Sequence, residues 1–525
     1  MFIESSQVAS EALVERAITR AVKGVPGMDL LYISADPRPG NHPGKQTDFR
    51  TIRRGDLKLL KEVRLSTESG VVSRQSRGVD VRRIHHAEIR GDPGIVTVAV
   101  YQGDGAEEEW RKHIATYESI WDPRIMQLHG LVSGNGLYAM VFHDELIPYA
   151  QFLRRFKHSP VLSTYISGYC STQFWEATHF ISRVSRKPLP VTHSASLCVL
   201  LALTSIHRTV STCQDGYNPE QASSVSTSLK NVTLDAPDSE DMIISSLSQD
   251  QYHELCCQPS IAQRHWFQVS TEHPIGPGIF QPDSQYGTCV RIMEPLQILP
   301  EEELHWENYG RAPDELLPNL WIRYDSHRTN ALLLELRLRF WERGIPKAWL
   351  AQANCIFAEL EEGAHIEDYI CIGYLQLNLQ IANKHYIPKG YLFVCPPRDL
   401  CTSNEAHANL YQWPACPAYW SLDPSGADRL STEDAKSLGF PAIHIETGMY
   451  GYSWDHSVYE GLRRFHEGKG FDPDSREVAR RLRYPLYEVL SDCTPFPARE
   501  VNNEPYSWRC KQDDPALCRS LSHNL

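Results

Sequence analysis

The sequence predicts an α+β fold, with a mainly antiparallel sheet in the C-terminal part of the chain. The first observation is the order strand, helix, strand, strand, which follows from the patterns at 333–340, 347–362, 374–381 and 390–395. The second is the composition of the 525 residues, of which 42% are hydrophobic and 22% charged, as in packed globular proteins. No repeat of about 20–50 residues is evident, which argues against a solenoid.

Two of these segments have the period of two that is typical of a half-buried strand. In 333–340, leucines alternate with Glu335, Arg337 and Arg339, which we expect to lie on the polar face. Segment 374–381 alternates in the same way, and the apolar segment 390–395 predicts a short strand. Segment 347–362 has a helical period, which predicts one helix with this buried face: Trp349, Leu350, Ala353, Ile356, Phe357 and Leu360.

Two later helices are predicted from the signals at their ends. Ser431 and Asp434 form a capping pair for the first of them, and Gly439 is its stop signal. Asp455 is the N-terminal cap of the second helix, which we expect to end at Gly468.

The first 300 residues are harder to assign. The patterns predict a short helix over 5–23, a Pro/Gly linker over 34–45, a helix over 171–184 and then a Ser/Thr-rich loop to about residue 230. We therefore divide the chain into these parts: an N-terminal helix and linker (1–49), a first globular domain (56–160), a divergent helical and loop-rich middle region (161–300), a C-terminal α+β domain (301–495) and a tail (496–525).

The charge pattern bears on the kind of partner. The formal net charge is −13, which disfavours nucleic acid as a partner. Residues 50–90 are an exception, with eleven lysines and arginines against five acidic residues. A solvated basic strand face is the simpler explanation of this stretch, and an anionic partner is the alternative.

The compartment signals point to the cytoplasm. The longest aliphatic run, 197–203, is far shorter than the ~20 residues that a membrane span needs. Residues 1–20 lack the basic start and apolar core of a secretory signal. Fourteen scattered cysteines suit a reducing compartment. We expect a cytoplasmic protein with no membrane partner.

Residues 80–155 carry a series of motifs in a recognisable order. They read VRRIHHAEI, IVTVAVYQG, AEEEWRKHIATYESIW, DPRIMQLHG and GLYAMVFHDELIPYAQFLRRF. This series resembles the N-lobe of a protein kinase, from the strand after the glycine-rich loop to the helix after the hinge. The resemblance implies that the first globular domain is a degenerate protein-kinase-like N-lobe.

The same resemblance implies that the catalytic residues have been replaced. Tyr101 stands at the position of the ATP-binding lysine, and His113 stands at that of its glutamate partner. Only Gly78 remains of the glycine-rich loop, and neither H-R-D-x-x-x-x-N nor D-F-G follows downstream. A Tyr–His pair can form a hydrogen bond, but it offers phosphate no permanent cation at neutral pH. No catalytic residue is therefore expected.

A degenerate nucleotide cleft is the site that the resemblance implies. Its apolar residues would sandwich an adenine, and 143–146 would be the hinge. The candidate residues are Ile84, Ala99, Tyr101, His113, His143 and Glu145. No cofactor or metal is expected there, and ATP without magnesium is the ligand left open. The simpler interpretation is that the apolar members are core residues of a sheet.

A broader similarity spans residues 56–490. Segments such as FHDELIPYAQFL, WPACPAYWSLDPSGADRLS and GYSWDHSVYEGLRRFHEGKGFDPDS resemble an uncharacterised kinase-like, pseudokinase-type family of mushroom-forming basidiomycete fungi. That family has no assigned biochemical activity. The similarity therefore implies kinship and a fungal origin, and it does not imply a reaction.

Two other groups of residues have side chains that can bind metal or act in catalysis, but the sequence favours neither role. One series has residue types that bind zinc, but structural zinc sites bring cysteines as close pairs, so thiols without a metal are expected. Its members are Cys395, Cys401, His407 and Cys416. Asp455 and His456 precede a helix, but no G-x-S-x-G nucleophile motif accompanies them.

One further hypothesis comes from the order of elements. Residues 95–143 and 331–395 both show strand, helix, strand and strand. The C-terminal domain is therefore a candidate repeat of the first topology.

We therefore predict a non-catalytic, pseudokinase-like module that acts through a protein partner in intracellular fungal signalling. Two alternatives stay open. One is an active protein kinase or ATP-dependent phosphotransferase of unorthodox type, and the other is an enzyme of unassigned chemistry in the C-terminal domain.

Overall fold

The computed structural model describes residues 49–63, 83–118, 126–134, 136–143, 145–146, 149–184, 237–258, 260–296, 304–309, 312–329, 331–363, 365–381, 386–402, 410–491, 493–501 and 519–520. The chain divides into two compact units between Gln263 and Arg264. Both combine helices with mainly antiparallel strands, so the predicted α+β class is confirmed. None of the described helices is long and apolar enough to cross a bilayer.

The first unit contains strands β1 (Arg50–Thr51), β2 (Leu57–Glu62), β3 (Arg83–Ile89), β4 (Val96–Tyr101), β5 (Leu128–Gly134) and β6 (Leu137–Phe142). Its helices are α1 (Ala106–Glu118), α2 (Tyr149–Arg154), α3 (Pro160–Val184), α4 (Ser239–Ser246) and α5 (Gln249–Cys256).

The second unit contains strands β7 (Gln263–Val269), β8 (Ile279–Asp283), β9 (Thr288–Pro295), β10 (Glu307–Asn308), β11 (Asp314–Leu316), β12 (Ile322–Asp325), β13 (Leu332–Arg339), β14 (Ile370–Ile381), β15 (Tyr391–Val394), β16 (Ala418–Ser421), β17 (Ile443–Ser453), β18 (Tyr487–Val489), β19 (Phe496–Glu500) and β20 (Arg519–Ser520). Its helices are α6 (Ile345–Leu350), α7 (Ala353–Glu359), α8 (Thr432–Leu438), α9 (His456–Gly468) and α10 (Glu477–Arg481).

A six-stranded sheet in the order β1-β5-β6-β4-β3-β2 organises the first unit. Its pairings are antiparallel except that of β1 with β5. All six residues of β4 are buried, because this strand has core on both faces. One face packs on α1 through Tyr101, Trp110 and Ile114, and the other holds an aliphatic core with Val98 and Val141.

Helix α3 confirms the helix predicted over 171–184, but it begins earlier. Ser159 accepts a 3.1 Å hydrogen bond from the Leu162 N–H and so caps its first turn. Gly168 lies against Leu255 of α5, where an added Cβ would be 2.8 Å from the leucine side chain. The missing side chain therefore lets α3 pack closely on α5. The predicted N-terminal helix, the linker and the Ser/Thr-rich loop lie outside the described residues.

The main strands of the second unit close on themselves. Hydrogen-bonded neighbours run β14-β8-β9-β19-β7-β17, and β17 pairs in turn with β14. Strands β13 and β10 extend the sheet from β14, and a separate sheet has the order β11-β12-β15-β16. The predicted domain boundary at residue 301 falls inside this unit, because β7 to β9 already belong to its main sheet.

The hypothesis of a repeated topology is wrong. In the first unit, β4, β6 and β5 are neighbours in one sheet. In the second, β13 pairs with β14, whereas β15 belongs to the separate four-stranded sheet. The two segments share an order along the chain, but their hydrogen bonds join different neighbours, which no local pattern specifies.

The single helix predicted over 347–362 is instead two helices, α6 and α7, which meet at Gln352. Its side-chain amide donates to the carbonyls of Ala348 at 2.8 Å and Pro485 at 2.9 Å, and its oxygen accepts from the Tyr487 N–H at 3.0 Å. Gln352 is 1% exposed, so these bonds satisfy a buried amide. These hydrogen bonds connect the junction of the two helices to residues 485–487, far along the chain.

Strands β13 and β14 confirm two predicted strands and correct one expectation about them. Glu335 on the polar face is 5% exposed, and Gln376 and Asn378 are each 6% exposed. Arg337 donates hydrogen bonds of 2.6 and 3.0 Å to the two oxygens of Glu335. Arg337 itself is 31% exposed and Arg339 is 38% exposed. Glu335, Gln376 and Asn378 are therefore buried polar groups with hydrogen-bond partners, beside arginines that reach solvent.

Both predicted helix caps are confirmed. Ser431 accepts a hydrogen bond from the Asp434 N–H, and Gly439 ends α8 with a φ of +92°. The Asp455 carboxylate accepts from the third N–H of α9 at 3.1 Å, and this helix ends at Gly468.

Lowering the pH is expected to destabilise the second unit through His466. Burial lowers the pKa of this α9 imidazole from 6.5 to about 4. The unfolded chain therefore binds a proton near pH 6.5, whereas the folded one does so only near pH 4. Stability that is present above pH 6.5 is lost as the pH falls toward 4, with a loss of about 2 kcal/mol by pH 5.

Urea unfolding at pH 7 and pH 5, monitored by hydrogen exchange of α9 peptides, measures this loss. The variant His466→Gln should show a smaller pH dependence. His365→Gln is the matched control, because that side chain is 70% exposed. An unchanged pH dependence in His466→Gln contradicts the assignment to this residue.

Candidate functional site

The structure brings Tyr101 and His113 together, and their predicted hydrogen bond is confirmed. Tyr101 ends β4, and His113 lies on the face of α1 that packs against the sheet. The Tyr101 hydroxyl is 2.9 Å from His113 Nδ1 and 3.4 Å from the sulfur of Met140. His113 Nε2 lies 3.5 Å from a carboxylate oxygen of Glu109, one turn earlier in α1.

His113 lies between a carboxylate and a hydroxyl. A carboxylate can only accept, so an N–H of the imidazole is best placed on Nε2, facing Glu109. The Tyr101 hydroxyl has one proton, which either Nδ1 of His113 or the Met140 sulfur accepts. Neither tyrosine nor histidine carries the permanent positive charge of a lysine at neutral pH.

The acidic first turn of α1 is bound to the sheet. The Tyr138 hydroxyl donates to Glu107 at 2.5 Å, and this hydrogen bond raises the pKa of Tyr138. Trp110 donates from its indole N–H to the Ala139 carbonyl at 3.1 Å. These contacts set the position of α1 over β4 and β6, and they give the acidic turn a structural role.

Ile84 and Ala99, the expected adenine contacts, are opposite each other on β3 and β4. They are 4% and 1% exposed and belong to the same apolar cluster as Tyr101 and Trp110. A ligand that contacts both side chains therefore has to displace part of this core.

The segment expected to be a hinge uses its backbone groups internally. The Leu146 N–H donates to the Thr97 hydroxyl at 2.8 Å, and its carbonyl accepts from His86 Nε2 at 2.8 Å. The Glu145 carboxylate lies 3.6 Å from Nδ1 of the same imidazole. Both hydrogen-bonding groups of Leu146 are thus occupied by the protein itself.

His143, the remaining candidate residue, belongs to a different cluster. Its Nδ1 lies 3.1 Å from Nδ1 of His129, with the two rings perpendicular. His129 Nε2 in turn lies 3.5 Å from Asp92, which pairs with Arg50 at 2.9 Å. The six candidate residues therefore do not form one connected site. Ile84, Ala99 and Tyr101 belong to one apolar cluster, and His113 bonds to Tyr101. His143 and Glu145 contact two other histidines, His129 and His86.

The zinc-type series can be followed only in part. His407 lies outside the described residues. Burial raises the pKa of Cys395 to about 12, and Cys416 donates to the Ala418 carbonyl at 3.8 Å. Across the part of the chain that the structure describes, no group of three or more His, Cys, Asp or Glu is placed to hold a metal ion.

A second constellation, in the second unit, was missed by sequence reasoning. His265 of β7 lies 2.9 Å from the Ser453 hydroxyl through Nε2 and 2.9 Å from the Glu500 carboxylate through Nδ1. The one local signal is that Gly451, Tyr452 and Ser453 end a strand just before a helix begins. The sequence offers no sign that these residues meet, because Ser453 and Glu500 lie 188 and 235 residues after His265.

No protein-family model matches the chain, and no curated protein matches it. The functional interpretation therefore rests on the geometry of the two units.

Proposed function

We propose that the first unit is a non-catalytic, pseudokinase-like module that acts through protein contacts in cytoplasmic fungal signalling. One observation carries the proposal. Where the resemblance implies a lysine and its glutamate, the Tyr101 hydroxyl and Nδ1 of His113 lie 2.9 Å apart in a hydrogen bond.

The chemistry of phosphoryl transfer explains why this pair matters. Catalysis of that reaction is mostly positioning and neutralisation of charge on the transferred phosphate. Neither a tyrosine hydroxyl nor an imidazole supplies a permanent cation for this purpose at neutral pH. The burial of Ile84 and Ala99 and the occupied backbone groups of Leu146 further oppose a nucleotide-binding role. The alternative of an active kinase is therefore disfavoured.

The edge of the first sheet supports the protein-contact part of the proposal. Strand β2 is the last strand of the sheet order, and five of its six residues are exposed. They include Leu59 and Leu60, which are 46% and 42% exposed. An edge strand with exposed apolar side chains is a surface to which a partner can add a strand. The neighbouring Lys61 suits an acidic partner segment, whereas Lys58 already pairs with Glu88 at 3.0 Å.

Magnesium-dependent stabilisation by ATP is not expected, because the Tyr101–His113 pair has no cation for a magnesium-bound phosphate. The measurement is a thermal-shift titration of the full chain with ATP, in magnesium and in EDTA. Tyr101→Phe is the matched variant, since it keeps the ring and removes the hydroxyl. A shift of several degrees that requires magnesium and is lost in this variant contradicts the proposal.

The second unit favours a different candidate function, that of an enzyme. The observation is the hydrogen-bonded chain of Ser453, His265 and Glu500, which has the order of groups found in nucleophilic catalysis.

A further inference from the structure

We propose that Ser453, His265 and Glu500 form a nucleophile, base and acid triad for acyl transfer from small esters. The proposal goes beyond the function of the first unit and does not depend on it, since all three residues lie in the second unit.

The three residues come from strands that the closed sheet makes neighbours. His265 lies on β7, which pairs with β19 on one side and β17 on the other. Glu500 ends β19 opposite Phe267, so it is a diagonal neighbour of His265 on the same face. Ser453 is the last residue of β17. Closure of the sheet therefore places the imidazole between the hydroxyl and the carboxylate.

The proton positions follow from the donor types. A carboxylate has no proton to give at neutral pH, so His265 Nδ1 must carry the hydrogen that Glu500 accepts at 2.9 Å. In a neutral imidazole Nε2 is then an acceptor, and the Ser453 hydroxyl donates to it at 2.9 Å. This is the tautomer in which an imidazole can remove the serine proton, with the acid holding the ring in place.

The exposure of the three side chains decreases along the chain of hydrogen bonds. The side chain of Glu500 is 44% exposed and that of His265 is 18% exposed, whereas Ser453 is 3% exposed. The Ser453 hydroxyl is thus enclosed, so an acyl donor reaches it only when neighbouring side chains move. A compact acyl group, such as acetyl, needs the smallest movement, and we expect it to react in preference to a bulky one.

The surroundings of Ser453 resemble a strand-to-helix turn. Only Trp454 and Asp455 separate it from α9, a helix of 13 residues whose N-terminus carries partial positive charge. The Asp455 carboxylate caps the Val458 N–H, so this side chain is occupied and does not compete for the serine proton. The His456 N–H at the start of the helix donates to the Glu367 carboxylate at 2.8 Å, so this N–H is also occupied.

The reaction is balanced with water as the second reactant. Ser453 Oγ attacks the ester carbonyl carbon while His265 Nε2 takes its proton. The bond to the alcohol oxygen then breaks, and the imidazole returns the proton to the departing alcohol. Water attacks the acyl-serine in the same way, which releases a carboxylic acid and regenerates the hydroxyl. The net change is ester plus water to acid plus alcohol.

The alternative to a catalytic role is a structural one, in which the same hydrogen bonds only hold the three strands together. The two roles differ in one measurable respect, because only an activated serine forms a covalent adduct with an acyl-like electrophile. Labelling with the phosphorofluoridate diisopropyl fluorophosphate, alongside acetylation by p-nitrophenyl acetate, therefore distinguishes them.

The test uses the full chain, the labelling reagent and peptide mass spectrometry to locate the adduct. We expect an adduct on Ser453, none in Ser453→Ala, and a labelling rate about 10²–10⁴-fold lower in His265→Gln. Glu500→Gln should also slow labelling, because the imidazole loses its orienting carboxylate. Hydrolysis of p-nitrophenyl acetate should decrease in the same order.

Ser457→Ala is the matched control, since that hydroxyl lies four residues away and donates to Asp455. It should label at the native rate. Circular dichroism and thermal unfolding show that each variant is folded. The proposal is overturned if the native chain forms no adduct on Ser453, a result that needs no variant. It is also overturned if a folded His265→Gln variant labels at the native rate.

Discussion

Replacing Trp349 with alanine is expected to lower the free energy of unfolding of the second unit by about 3–5 kcal/mol. This α6 side chain is fully buried between the rings of Phe357 and Tyr487, whose centroids lie 5.4 and 6.1 Å away. Its indole N–H donates to the buried hydroxyl of Tyr459 at 3.2 Å. The substitution therefore opens a cavity and leaves a buried hydroxyl without this donor.

Urea unfolding monitored by hydrogen exchange in β14 and β17 peptides measures this change within the second unit. Trp341→Ala is the matched control, because Trp341 is 40% exposed and its ring contacts that of Tyr374 on one side. Its expected effect is below about 1 kcal/mol. Equal losses in the two variants would show that the core around α6 does not contribute as the packing implies.

Replacing Arg337 with methionine is expected to destabilise the second unit by about 3 kcal/mol, at the lower end of the range for a buried ion pair. Arg337 binds both oxygens of Glu335, and these hydrogen bonds raise the pKa of the guanidinium. The Glu335 side chain is 6% exposed, so the variant leaves a buried charge. The effect stays below the maximum because the Tyr374 hydroxyl still donates to Glu335 at 3.1 Å.

The double variant Glu335→Gln, Arg337→Met provides the control for this prediction. Neutralising the carboxylate removes the uncompensated charge, so the double variant should recover a large part of the lost stability. Urea unfolding of the native chain, of Glu335→Gln and Arg337→Met alone, and of the double variant gives the coupling energy. A double variant that is destabilised by the sum of the single losses would show that the two side chains act independently.

The buried polar residues of β13 and β14 have a structural explanation. Glu335, Gln376 and Asn378 are held inside by bonds to one another, to Arg337 and to tyrosine hydroxyls. This network is complete without a ligand. The hydrogen-bonded chain of Ser453, His265 and Glu500 differs from this network. Its carboxylate, Glu500, is 44% exposed, and its hydroxyl, Ser453, is the last residue of a strand.

Local features of the fold were predictable from the sequence because they depend on neighbours along the chain. The caps at Ser431 and Asp455 follow from a side chain and an N–H three residues later. The pairing of Tyr101 with His113 was instead implied by the resemblance to a kinase N-lobe, which places the two positions side by side. The strand at 333–340 followed from its leucines, whose spacing matches the pleat of a strand.

Features that depend on distant partners were not predictable in this way. The interruption at Gln352 depends on bonds to Pro485 and Tyr487, more than 130 residues away. The burial of Glu335 depends on what lies opposite β13. The position of β15 in a separate sheet depends on its pairing with β12 and β16. In each case the local pattern is compatible with several environments.

The sequence by itself determined the α+β class, the principal strands and the helix caps. These follow from periodicity, capping chemistry and side-chain type, all of which act over a few residues. Only the tertiary structure decided that Ser453, His265 and Glu500 meet. Their contact requires β7, β17 and β19 to be neighbours in a closed sheet, and strand pairing of that kind is a property of the whole unit.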